Sequence, residues 1–172
     1  MAGRWLPISI LSVILVVQSI LLARRAVVHS PTIDEVEWLP GGLASWKTGN
    51  FNVVVRNPPH LGLVAAVPLL FVEYDASAFE KVRSARVVGK AFIRTNGSRC
   101  FWLFALGRWA CIPFSILGTI ACFAWARELY GPSSGIMAAT LWCFCPNLLA
   151  HGQLVSHDVP ATSVGLIATY LF

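Results

Sequence analysis

From Trp5 to Ala23 the chain carries no charged residue, and two later apolar runs, Phe101 to Ala126 and Ser133 to Ala150, carry only Arg108 between them. A helix needs roughly 20 predominantly apolar residues to cross a hydrocarbon core, and each of these runs approaches or exceeds that length. A soluble core does not accommodate three such runs in 172 residues. Composition agrees: only 12% of residues are charged, against about 25% in soluble domains. The reading is an all-α chain, a polytopic transmembrane helical bundle with a long polar loop after its first span. The spans are expected at about 5–23, 101–126 and 133–150, with the loop at 29–99. A fourth apolar run starts at 159 and reaches 172, too short to span, which reads as the N-terminal part of a longer protein.

The first run has one rival reading, a secretory signal. Signal cores are about 7–15 residues long and end at small residues. This run is longer and ends in Ala23-Arg24-Arg25, so a retained span is expected.

The loop has its own organisation. Ser30-Pro31-Thr32-Ile33-Asp34-Glu35 reads as a helix start, with Ser30 or Thr32 as cap and two acids at the positive end of the dipole. Val36, Leu39, Leu43 and Trp46 continue at helical spacing, Pro40-Gly41-Gly42 is expected to interrupt, and Gly49-Asn50 closes the helix. Phe51 to Val55 is expected to be extended. Leu61 to Val72 is apolar but short and contains Pro68, which suits an interfacial or re-entrant helix. Asn96-Gly97-Ser98 matches a glycosylation pattern that also arises by chance.

Net charge is +5, but the basic residues are scattered along the loop and the aromatics lie mostly in apolar runs. Nucleic acid is therefore not an expected partner; membrane lipids or a phosphate-bearing lipid substrate are. The five cysteines lack a His or Cys partner at ligand spacing, so no metal is assigned and they read as packing thiols.

Two places beside the membrane combine acids with other polar groups: Asp34-Glu35 and His157-Asp158. If only the second and third long runs cross between them, Asp34 and Asp158 emerge on one face, where two carboxylates can divide acid and base work. If Leu61–Val72 also crosses, that pairing disappears. The positive-inside rule favours this rival count, since most of the 13 Lys and Arg fall in the loop. Span length opposes it, and loops above about 60 residues translocate largely regardless of charge. Arg108 needs a reason, because a guanidinium within a span costs roughly 2.5–3.5 kcal/mol on insertion scales. It either snorkels to the interface, or it pairs with a loop carboxylate or a phosphate, both of which Arg binds bidentately.

Three stretches of the loop carry a family resemblance: Asp34-Glu35-Val36-Glu37-Trp38, Gly49-Asn50-Phe51-Asn52, and Asn57-Pro58-Pro59-His60-Leu61-Gly62. In that order they resemble the first lumenal loop of the protein O-mannosyltransferases and of bacterial relatives that use polyprenyl-phosphate sugars. Here the His follows the two prolines, where the family has it before them. Gly107-Arg108-Trp109, Ala126-Arg127-Glu128-Leu129-Tyr130-Gly131 and Leu148 to Pro160 look like the family's second and third spans and second acidic motif. The resemblance implies a GT-C fold and inverting transfer from a polyprenyl-phosphate sugar to a hydroxyl of a protein, lipid or glycan, outside the cytosol. The membrane would be the plasma or inner membrane in a bacterium and the ER in a eukaryote. No cofactor is required, although a divalent ion on the carboxylates is conceivable. By the same resemblance Asp34 is the base, Glu35 orients the acceptor or the loop, and Asp158 lines the pocket with His157 beside it. Arg108, His60 and Arg56 neutralise the lipid phosphate. Arg56 stands where the mannosyltransferases usually have an acidic or polar residue, so its role and the protein acceptor stay open. The isolated chain is expected to be inactive.

Simpler readings remain beside these. Asp34-Glu35 and His157-Asp158 suffice as helix-start residues. Trp38 and Trp46 suffice as interfacial anchors. A non-enzymatic membrane protein or transporter, its loop acids serving as caps or ion ligands, is the alternative.

Overall fold

A computed structural model describes residues 2–53, 58–79 and 84–172. Among them the chain forms eight α-helices, joined by turns and short 3-10 segments, and no strand: α1 (Ala2–Val28), α2 (Ile33–Thr48), α3 (His60–Ala66), α4 (Ala85–Asn96), α5 (Cys100–Tyr130), α6 (Pro132–Phe144), α7 (Pro146–His151) and α8 (Asp158–Leu171). Two helical stretches are long and apolar enough to cross a membrane, Trp5–Val28 and one running through α4 and α5. The third expected span is not one helix. Pro146 pushes its preceding residue out of the α region, and Cys145 accordingly sits at φ −61°, ψ 121°. The run breaks there into α6, of 13 residues, and α7, of 6.

The chain divides into two compact units. The first holds Met1–Arg24, Ile112–Gln153 and His157–Phe172; the second holds Arg25–Cys111 and Leu154–Ser156. In the first, Ile14, Phe123, Ala139 and Cys143 form an apolar core. Beside them lies a buried polar seam between α1 and α5. The Gln18 amide donates to Ser115 Oγ at 3.0 Å, and Thr119 Oγ1 donates to Gln18 Oε1 at 2.7 Å. Trp142 Nε1 donates to the Ser115 carbonyl at 3.1 Å. Each bond satisfies a group whose burial unpaired would cost about 1–3 kcal/mol.

The second unit is built around α2, which is buried continuously from Leu39 to Ser45. The expected interruption at Pro40-Gly41-Gly42 does not occur. Proline lacks an N–H, so it strips the Val36 carbonyl of its usual partner four residues on. Helix α4 lies against that carbonyl, with Gly89 so close that a Cβ there would overlap Val36 O. Gly42 meets Gly62 of α3 in the same way, and a Cβ on Gly62 would lie 2.6 Å from Trp38 O. The glycines that read as a break are therefore contact points for neighbouring helices, and burial outweighs the local penalty. Gly49, at φ 69°, ends α2 in the left-handed cap that glycine adopts without strain.

Phe51 to Val53 turn instead of extending. Asn50 N–H donates to Thr48 Oγ1 at 3.3 Å, and Asn52 N–H donates to Asn50 Oδ1 at 3.0 Å, the local bonding that diverts Asn-rich stretches from strands. Val54 and Val55 lie outside the described residues. Asn96 of the sequence pattern is structurally engaged. Its Nδ2 donates to Asp75 O at 3.1 Å and to Phe92 O at 3.0 Å, while its Oδ1 accepts from Asp75 N–H at 2.8 Å.

The short apolar stretch His60–Phe71 is α3 followed by a 3-10 segment, Val67–Phe71. The chain entering it and the chain leaving it come back together. Arg86 of α4 pairs with Glu37 of α2 at 2.7 Å, and the Ala85 N–H donates to Val53 O at 3.2 Å.

Candidate functional site

Helix α2 begins at a reciprocal cap. Thr32 Oγ1 accepts from Glu35 N–H at 3.5 Å, and Thr32 N–H donates to Glu35 Oε2 at 2.9 Å. This is the capping box, satisfying two donors that a helix start otherwise leaves unpaired. The same Glu35 carboxylate does more. Arg108 of α5 donates to it twice, Nε to Oε1 at 2.8 Å and Nη2 to Oε2 at 2.7 Å, in the bidentate geometry that fits a guanidinium to a carboxylate. The Val155 N–H donates to Oε1 at 3.1 Å. Four bonds use the carboxylate's acceptor capacity. The pair is fully buried, at 0% and 1% exposure for Glu35 and Arg108.

Arg108's remaining donors reach carbonyls at the end of α1: Nη1 to Ala26 O at 2.8 Å and His29 O at 2.7 Å, and Nη2 to Ser30 O at 3.0 Å. A helix leaves its last carbonyls without partners, and a cation there also meets the negative end of the dipole. One guanidinium thus closes α1, opens α2 through Glu35, and with Val155 ties in the segment after α7. Of the readings open to Arg108, the structure shows the ion pair with a loop carboxylate. It does not snorkel, and all five of its N–H donors are engaged.

Burial acts to raise the Glu35 carboxyl. The hydrogen bond and charge of Arg108, with the Thr32 and Val155 N–H groups, outweigh it and hold the group below its ordinary value.

Asp34 stands one residue earlier in the same first turn with the opposite character. It is exposed, and among the described residues its carboxylate accepts no hydrogen bond. Its backbone is fixed between the cap at Thr32 and the clamp at Glu35. His60 opens α3, exposed, in the same unit. Arg56 lies outside the described residues. Asp158 and His157 belong to the other unit. Asp158 is exposed at the first position of α8, its Oδ2 3.8 Å from His151 Nδ1, and its backbone carbonyl accepts from Thr162 Oγ1 at 2.7 Å. Among the described residues no three His, Cys, Asp or Glu side chains converge as a metal site would need. The Thr32-x-x-Glu35 spacing announces the capping box, while nothing in the sequence announces the Val155 N–H.

These features define a class: an all-helical chain with two helices long and apolar enough to cross a membrane, and a second unit locked by a buried Glu–Arg pair. No family model, curated protein or solved structure matches it.

Proposed function

We propose that the chain belongs to a polytopic GT-C glycosyltransferase, moving a sugar from a polyprenyl-phosphate donor to a hydroxyl acceptor on the non-cytoplasmic face of a membrane. The observation that carries this reading is Asp34: an exposed carboxylate that among the described residues accepts no hydrogen bond, on backbone over-determined by the buried pair beside it. A general base needs that combination, a free acceptor atom held in a fixed place. In the reaction, Asp34 takes the proton of the acceptor hydroxyl as that oxygen attacks the anomeric carbon. The bond from the anomeric carbon to the phosphate oxygen breaks, and the lipid phosphate leaves with its electron pair. Glu35 is a positioning residue, since its own lone pairs are taken. Arg108's fork is likewise taken, so stabilising the leaving phosphate falls to His60 and Arg56. Asp158 and His157, at the start of α8, are assigned to substrate contact by the family resemblance.

A second reading is favoured by the capping box. If Glu35 is there to start α2, Asp34 is a first-turn acid and the protein is a non-enzymatic membrane protein. Asp34→Asn in the full-length protein separates the two. Among the described residues the exposed side chain makes no hydrogen bond or ion pair, so the variant is expected to insert and fold normally. Transfer from a polyprenyl-phosphate sugar to a hydroxyl acceptor is expected to fall by about 10²–10⁴-fold, the usual share of a general base. Transfer at the parent rate removes Asp34 from the chemistry and leaves the capping role.

A further inference from the structure

The stretch His60–Phe71 contains no Asp, Glu, Lys or Arg, and it is apolar on both sides. One side is spoken for: Leu61, Ala65, Ala66 and Leu69 are completely buried in the second unit. The other is not. Val64, Val67, Leu70 and Phe71 recur at three- and four-residue steps along the outer side, and Phe71 is 83% exposed. Trp46 of α2 extends this stripe. Its indole N–H donates to Leu63 O at 3.0 Å, so its polar atom is satisfied, and the residue remains 47% exposed. A helix apolar all round is found buried in protein or in lipid.

The chain's connectivity supplies the occupant. The unit leaves the long apolar helix α1 at Val28 and re-enters another, α5, at Cys100. Both exits hold it within a few residues of any bilayer those helices cross. A surface tethered in this way meets lipid at high effective concentration before it meets another protein. Trp is enriched at the lipid–water boundary, and exposed Lys47 follows Trp46 directly, as basic residues do where a surface faces anionic head groups.

We propose that the outer stripe of His60–Phe71, with Trp46, lies in the interface of the bilayer as an anchor parallel to the membrane. It does not cross, and it is not a contact between copies of this chain. The inference does not depend on the transferase reading and stands or falls separately from it.

The test uses the full chain with its native cysteines replaced, reconstituted in vesicles. A single cysteine at 67, 71 or 90 carries an environment-sensitive fluorophore, and unlabelled protein is checked for native helix content. At 67 and 71 the emission is expected to shift to the blue. Nitroxide lipids are expected to quench it, giving a depth of about 5–10 Å into the head-group/acyl boundary, while aqueous iodide leaves it unchanged. At the exposed Lys90 position iodide is expected to quench and lipid nitroxides are not. Iodide quenching at 67 and 71 overturns the proposal. So does strongest quenching at the bilayer midplane, which means a span. Protection that disappears when the protein is diluted in lipid also overturns it, because the stripe then meets a second copy.

Discussion

Arg108→Met is expected to destabilise the protein by about 3–5 kcal/mol, because it strands the Glu35 carboxylate in a fully buried place without its cation. The carbonyls of Ala26, His29 and Ser30 lose their donors at the same time. Glu35→Gln keeps one acceptor oxygen, enough for the Thr32 or the Val155 N–H but not both, and leaves the guanidinium uncompensated, so it too is expected to be severe. The double variant Glu35→Gln/Arg108→Met is expected to be less damaged than the sum of the single changes, since partners in one ion pair do not add. Denaturant titration in detergent reads all three, and an Arg108→Met protein as stable as the parent would mean the pair is not buried as described.

The same pair sets an acid limit. Glu35 is held below its ordinary value, so its stabilising contribution is complete above that value and is lost as pH falls through the lower, folded one. Melting temperature is expected to decline with acid below about pH 4.3, and Glu35→Gln is expected to flatten that part of the decline.

The second large effect is expected at Gly89. A side chain there would overlap the backbone oxygen of Val36, and a backbone atom of a buried helix cannot step aside as a side-chain tip can. Gly89→Val is expected at or beyond the upper end of the usual overpacking penalty of about 1–3 kcal/mol. Gly165 of α8 supplies the control, as a Cβ there meets nothing within 4 Å. Gly165→Ala is expected to be neutral or stabilising by up to about 1 kcal/mol through helix propensity. Equal tolerance at both sites would mean that α4 does not sit against α2.

Local rules made some of this fold legible. The cap at Thr32, the acid at Glu35 and the glycine stop at Gly49 are short-range signals, and the structure has them in place. Leu61–Val72 reads as a short apolar helix, and the structure has α3 and a 3-10 segment there, with Gly62 against Gly42 of α2. What escaped was tertiary. Pro40-Gly41-Gly42 reads locally as a break, yet the freed carbonyl and missing side chains are what admit α3 and α4. Hydropathy alone makes the third apolar run one span, while Pro146 splits it at Cys145 into α6 and α7. For the site, Arg108 announced that it needed a partner, but Glu35 is 73 residues away and no spacing rule connects them. Four bonds on Glu35 separate it from Asp34 beside it, a difference that two adjacent acids in a sequence do not display.

The central claim is that the second unit is locked by Glu35 and Arg108 with Asp34 left open, and the proposed function needs its loop, 29–99, on one face of the membrane. Sidedness tests it most directly. A cysteine at position 33, 74% exposed beside Asp34, or at exposed position 94 of α4 is placed in the cysteine-free chain, and sealed and opened vesicles are treated with an impermeant thiol reagent. Labelling of both positions from the same side is the predicted result. Labelling from opposite sides would mean that His60–Phe71 crosses the bilayer, and then the contact between Glu37 and Arg86 and the unit built on it could not exist.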